Sequence, residues 1–303
     1  MEFTGGITFL GGMVVTGPPP PPSYKAIFGY GTTQVSNLVS DTGVVATNTA
    51  CAGTGRNNLA AAGYGTDKAI FGYGYSGGGV SMTNLVSNTG VVGNDVTGVG
   101  TARRYLAAAG YGTDKAIFGY GYNSGTYYSL TNLVSNTGVV ASDTTGVGSA
   151  RLGLAATGYG SSGQAIFGYG DEGSVTNLVS NTGVVSTNSG GVGTGRSYLG
   201  AATYGTDKAI FGYGSSIGLY RSMTNLVSNT GVVATDTTGV GTGRAELAAA
   251  GYSTDKAIFG YGNGNSGTLS MTNLVSNTGV VATDTTGVGS ARYGLAAASY
   301  GPT

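Results

Sequence analysis

Six arginines, Arg56, Arg103, Arg151, Arg196, Arg244 and Arg292, recur 47, 48, 45, 48 and 48 residues apart in a chain that also carries 21 tyrosines. Arginine, tyrosine and a carboxylate together could stabilise charge on a sugar ring, so glycan hydrolysis is the first chemistry to weigh. The acids argue against it. Most of the 13 sit at repeat positions such as Asp67, Asp114, Asp207 and Asp255, leaving Asp171 with Glu172 as the adjacent, non-repeating pair. Hydrolysis of a glycosidic bond needs two carboxyls placed across that bond, and neighbours in one loop do not supply this. There is no histidine and only one cysteine, Cys51, which excludes a histidine base, an intrachain disulfide and a zinc cluster. The oxygen-rich "ATDTTGVG" at 234–241 invites a calcium reading, but other copies carry Asn48 or Asn188 for the Asp and no Glu follows, so hydrogen bonding inside the loop is the better account. The glycine-rich runs lack the lysine and helix of a phosphate loop. These readings imply a protein that is not an enzyme and carries no cofactor and no metal.

Composition points the same way. The 303 residues include 60 glycines, only 9% are charged and the formal net charge is zero, while 40% are hydrophobic, enough to build a core. The 13 lysines and arginines are spread at repeat intervals, so no basic face for nucleic acid is expected. The N-terminus lacks the basic start and long apolar run of a secretory signal, and no stretch reaches membrane-spanning length, so membrane insertion is not expected.

The elements that must position these residues follow from the repeat. A period near 47 residues signals a solenoid or propeller. Each unit holds four short apolar runs, in the second copy "LAAAGYG" (59–65), "KAIFGYG" (68–74), "TNLVS" (83–87) and "GVV" (90–92), which is the count expected of a propeller blade. The "GTD" and "SNTG" segments between them offer residues that tolerate left-handed backbone and read as hairpin turns. Adjacent apolar pairs, Ile70 with Phe71, Leu85 with Val86 and Val91 with Val92, predict strands covered on both faces by neighbouring blades. The small residues of "LAAAG" suit an innermost strand near a crowded axis.

The order of these parts, "RRYLAAAGYGTDKAIFGYG" followed by "SLTNLVSNTGVV" between Arg103 and Val140, resembles the kelch repeat: an arginine, a small-residue inner strand, a strand ending in a glycine doublet, a third strand, a turn and a fourth strand. Two departures mark it as divergent. Tyr73 splits the doublet Gly72 and Gly74, and the chain has no tryptophan. The resemblance implies an all-β fold, a six-bladed β-propeller of four-stranded blades. The chain enters on a second strand at Lys25–Gly31 and leaves on a first strand at Leu295–Gly301, so the N- and C-terminal strands should share one blade and close the ring. Sialidase-like enzymes also use six blades, but their Ser-x-Asp-x-Gly-x-Thr-Trp turn is absent and the arginines recur by symmetry. Each of the six arginines is therefore expected to be a structural brace between blades.

Variation concentrates in two places. The loop joining strands two and three changes in length and chemistry, from "TTQVS" (32–36) to "YNSGTYYSLT" (122–131) and "SSIGLYRSMT" (215–224), and the pair after each arginine changes from Asn57 and Asn58 to Arg104 and Tyr105 or Ala245 and Glu246. In an up-and-down blade both sites fall on one face, rich in the Tyr, Ser, Gly and Asn that dominate paratopes. Tyr75, Tyr105, Tyr122, Tyr127, Tyr128, Tyr198, Tyr220 and Arg221 are the candidate ligand-binding residues on it. The competing reading is surface loops drifting without constraint.

Outside the repeat, residues 1–17 hold short β-prone pieces between glycine pairs and 18–24 form a polyproline spacer, with the propeller over 25–301. The "FTGGIT" and "GGM" phrases before the proline run are similar to the start of small virion-associated proteins of marine bacteriophages. That resemblance implies a docking segment that adds to another chain's sheet. The function expected is a virion-associated adhesion or display protein, as a fibre or decoration. Its partners would be other virion or filament proteins, a cell-surface glycan or protein, and further copies of itself. Its place would be a virion or extracellular assembly. A self-assembling structural subunit without a ligand is the alternative, and a glycan hydrolase a distant one.

Overall fold

The computed structural model describes residues 7–8, 14–15, 25–171 and 173–301. Among them there is no helix, and the strands form small antiparallel sheets in a propeller-like arrangement. Ile7–Thr8 pairs antiparallel with Val14–Val15. The rest of the expected docking segment and its spacer, Glu172, Pro302 and Thr303 lie outside the described residues.

Unit two shows the build. The inner strand Ala60–Tyr64 pairs with Lys68–Gly72, which pairs with Thr83–Val86, so that Ile70 lies opposite both Ala62 and Leu85. The first turn works because Gly65 and Thr66 both take left-handed backbone, at φ 60° and 70°. In the second, Ser87 Oγ accepts the Val91 amide at 3.1 Å and Gly90 supplies φ 81°. The fourth run is not a regular strand. It touches the third through two isolated bridges, Val86 with Val92 and Thr83 with Val96. Between them the buried Asn84 side chain donates to the Gly93 carbonyl at 2.9 Å in place of a ladder bond. This outer position corrects one sequence expectation: Val91 and its equivalents Val44, Val139, Val184, Val232 and Val280 are 64–66% exposed, because an outermost run is covered on one face only.

The core consists of clusters that each join one unit to the next. Ile70 and Tyr73 of unit two pack with Phe118 and Val134 of unit three, and the pattern recurs around the chain until Ile258 and Tyr261 meet Ala26, Phe28 and Val39. Ala296–Tyr300 pairs with Lys25–Gly29 over five residues, from Ala296 opposite Gly29 to Tyr300 opposite Lys25. The split glycine doublet has a physical reason. A Cβ on Gly72 would stand 2.6 Å from Phe118 Cζ, so the strand must end in glycine where the next unit's ring lies on it. Gly74 has φ 107°, and Tyr73 between them is itself left-handed at 62°. Such a tyrosine costs of order 1 kcal/mol or more in backbone strain. Tilted ring contact with Phe118, at 5.1 Å between ring centres, and donation from its hydroxyl to the Val99 carbonyl at 3.1 Å offset that cost.

Candidate functional site

The six arginines are buried and tied down. Arg103 Nε donates to the Tyr120 carbonyl at 2.7 Å, Nη1 to Thr101 O at 2.9 Å and Nη2 to Asn132 Oδ1 at 2.5 Å. The bonds to Tyr120 and Asn132 are inside its own unit. Arg103 is tied to the preceding unit by its backbone, which accepts from the Gly74 amide at 3.0 Å and donates to the Val80 carbonyl at 3.3 Å, and by its guanidinium, which stacks over the Tyr73 ring at 4.5 Å, a contact repeated by Arg56, Arg151, Arg196, Arg244 and Arg292 at 4.1–4.7 Å. Burial pushes the Tyr73 hydroxyl up to about 12, against the pull of Arg103. Nη2 of Arg56 and of Arg292 is buried without a partner.

The aspartates of the "ATDTTG" segments are also spoken for. Asp143 accepts from the Thr101 hydroxyl at 2.6 Å, from the Thr101 amide and from Asn132 Nδ2 at 2.9 Å. Burial opposes ionisation there, but these bonds and Arg103 outweigh it and hold the carboxyl below its ordinary value. Where the residue is asparagine the partner is serine: Asn48 Nδ2 donates to Ser290 Oγ and Asn188 Nδ2 to Ser149 Oγ, both at 2.7 Å. An amide donates where a carboxylate accepts, so the departures that argued against a calcium loop are matched changes in a latch. Asp171 accepts from the Leu152 amide at 3.1 Å.

The variable face gathers most of the candidate residues. Arg104 is the centre of one group: its guanidinium lies 4.4 Å from the Tyr75 ring centre, 5.3 Å from Tyr105 and 5.6 Å from Tyr122. Tyr122 meets Tyr127 edge-on at 5.3 Å, and Tyr127 is 49% exposed at the loop tip. The hairpin carrying them, Tyr122–Asn123 paired with Thr126–Tyr127, turns through Ser124 and Gly125, both left-handed. Tyr128 is half-buried and its amide donates to Gly121 O. Tyr220 and Arg221 form a second group in the unit-five loop, where the Tyr220 hydroxyl accepts from Asn263 Nδ2 at 2.9 Å and Arg221 Nε is buried without a partner. Ile217 and Leu219 at that loop's tip are 80% and 57% exposed.

The second variable positions converge on one another. Asn58, Tyr105, Gly153, Tyr198, Glu246 and Gly294 are all left-handed, with φ between 53° and 66°. Each donates its amide to the carbonyl of the one before, Tyr105 to Asn58, Gly153 to Tyr105, Tyr198 to Gly153, Glu246 to Tyr198, Gly294 to Glu246 and Asn58 to Gly294, over 2.6–2.9 Å. The side chains are thereby turned toward one another. Tyr105 and Tyr198 meet edge-on at 5.3 Å across Gly153. A cavity of about 90 Å³ lies here, lined by this circle and by leucines such as Leu106 and Leu247. At the other end of the inner strands a larger space of about 380 Å³ is lined chiefly by repeated Ala, Gly and Thr. Arg104, Glu246 and Asn263 belong to the site although sequence alone did not single them out. The signal was there in the non-repeating pair after each arginine, but nothing in it says which members converge.

No protein-family model and no curated protein matches the chain. Among solved structures it is similar to the structure of YjhT, with a TM-score of 0.63 at 12% identity over 88% of this chain and 98% of that one. The likeness carries the fold alone. The chain is all-β and propeller-like.

Proposed function

We propose that this chain is a non-catalytic adhesion or display protein, a divergent kelch-like ring of six four-stranded blades closed by its terminal strands, presenting its variable face to a cell-surface glycan or protein. The observation that carries the binding reading is the cluster around Arg104. A planar cation held among Tyr75, Tyr105 and Tyr122, with Tyr127 exposed beside it, combines aromatic platforms and a bidentate donor on the one face where the units differ. Two further observations support the ring: the circle of six axial amide bonds, and the pairing of Ala296–Tyr300 with Lys25–Gly29. The bridge-linked fourth runs support four strands in each blade. The placement on a virion or extracellular assembly rests on the resemblance of the N-terminal segment. Repetition of an exposed valine in every unit favours a second reading, a subunit that packs against other copies.

A glycan array and a binding assay on candidate host cells test the first reading. Replacing Arg104, Tyr122 and Tyr127 with alanine is expected to cost about 2 kcal/mol or more of binding while leaving the melting temperature nearly unchanged. Unaltered binding by the triple variant would remove the variable-face reading and leave the structural subunit. Deleting residues 1–22 is expected to leave a folded ring that no longer joins its native assembly.

A further inference from the structure

The axial cavity holds an acid with nothing to answer it. Glu246 Oε2 is buried without a hydrogen-bond partner, and the lining of the cavity contains no lysine or arginine. Burial alone accounts for the upward push on its carboxyl, with no nearby cation pulling the other way. An unpaired buried carboxylate is costly, and a chain that needed only to fill this place has glycine at two equivalent positions, Gly153 and Gly294. Neighbours close over those glycines, since a Cβ on Gly294 would stand 2.6 Å from Asn58 Oδ1 and one on Gly153 3.2 Å from the Tyr198 ring, so Glu246 stands where a glycine would fit. Tyr105 and Tyr198 stand on the same circle as a second, independent attraction for positive charge.

We propose that this pocket binds the ammonium group of an organic cation, with Glu246 as counter-ion and the Tyr105 and Tyr198 rings as aromatic walls. Calcium or magnesium would need six or more oxygen ligands and zinc four donors such as imidazole or thiolate, and one carboxylate among an asparagine, tyrosines and leucines supplies neither set. The cavity of about 90 Å³ is small beside the space of about 380 Å³ at the other end of the inner strands, so it takes the charged head of a ligand whose remainder extends over the variable face. This inference rests on the binding reading above and names the chemistry of one part of its ligand.

Thermal-shift titration of the full chain with ethylammonium, glucosamine and lysine amide tests it, with sodium chloride and N-acetylglucosamine as matched controls. A saturable rise in melting temperature is expected with the ammonium probes and not with the controls, and it should disappear in Glu246→Gln, whose fold is checked by circular dichroism. The stronger of glucosamine and lysine amide identifies a sugar or a protein source for the group. No saturable response to ethylammonium, or an equal response in Glu246→Gln, overturns the proposal. If that happens while the Arg104, Tyr122 and Tyr127 variant still loses host or glycan binding, the pocket fails and the variable-face reading stands. Loss of neither signal would remove both.

Discussion

Single residues in this protein divide sharply by what a neighbouring unit lays on them. Gly72 and Gly78 are both glycines of one unit, yet a Cβ on the first would stand 2.6 Å from Phe118 Cζ and a Cβ on the second meets nothing within 4 Å. Gly72→Ala is expected to cost about 1–3 kcal/mol through overpacking against a ring that has no room to retreat. Gly78→Ala should stay within about 0.5 kcal/mol, and chemical denaturation of the two variants checks the contrast. Glu246 allows a prediction of opposite sign. Burial raises its folded carboxyl above the unfolded value of about 4.3, so the fold keeps its proton longer than the unfolded chain does. Stability is then full below that unfolded value and falls as pH rises through the folded one. Glu246→Gln should therefore raise the melting temperature at neutral pH, with the gain vanishing as pH drops below about 4. A gain that persists undiminished in acid would show that the charge is not its source.

At the scale of the element, the outer run of each unit is held by side chains more than by ladder bonds. Asp95, Asp143, Asp236 and Asp284 each accept from a threonine hydroxyl and amide and from a buried asparagine, and each carboxyl lies below its ordinary value because those bonds outweigh burial. Depressed acids stabilise the fold above the unfolded value of about 3.9 and lose that contribution as pH falls through the lower folded value. The melting temperature is expected to drop most steeply below about pH 4. Replacing all four aspartates with asparagine should flatten that slope. The pairing of Asp with Thr and of Asn with Ser adds a coupling test: Asp143→Asn together with Thr101→Ser should cost less than the sum of the single changes, as a double-mutant cycle would measure.

For the whole molecule, the terminal strand is the sensitive point. Leu295, Ala296, Ala298 and Tyr300 are buried, and the Gly301 amide donates to Asp67 O at 2.8 Å. Removing residues 295–303 would strip the inner strand from its partner Lys25–Gly29 and bare the apolar faces of two neighbours. At about 25 cal/mol per Å² the loss amounts to several kcal/mol, so aggregation or a large fall in melting temperature is expected. A truncated chain that melts like the full one would remove the argument for a ring closed by its ends.

Much of this arrangement was legible in the residues themselves. Strand positions, turn residues and the complementary ends follow from local rules repeated six times, because hairpin geometry depends on residues adjacent in the chain. The partner of Ala296–Tyr300 could be named in advance for that reason. What tertiary structure alone decided is contact across units. The arginines were expected to hydrogen-bond between units, and the structure divides that work: the Arg103 backbone bonds to Gly74 and Val80 of the previous unit, while its guanidinium bonds to Tyr120 and Asn132 of its own and stacks on Tyr73. Val91 reads like its buried neighbours, but an outermost run has no second sheet to cover it. Tyr105, Tyr198 and Glu246 come from three different units, and only the left-handed turn after each buried arginine aims them at a common axis. Backbone handedness at the residue after each arginine, and the company its side chain keeps across units, are set by packing among distant segments, and no local pattern encodes them.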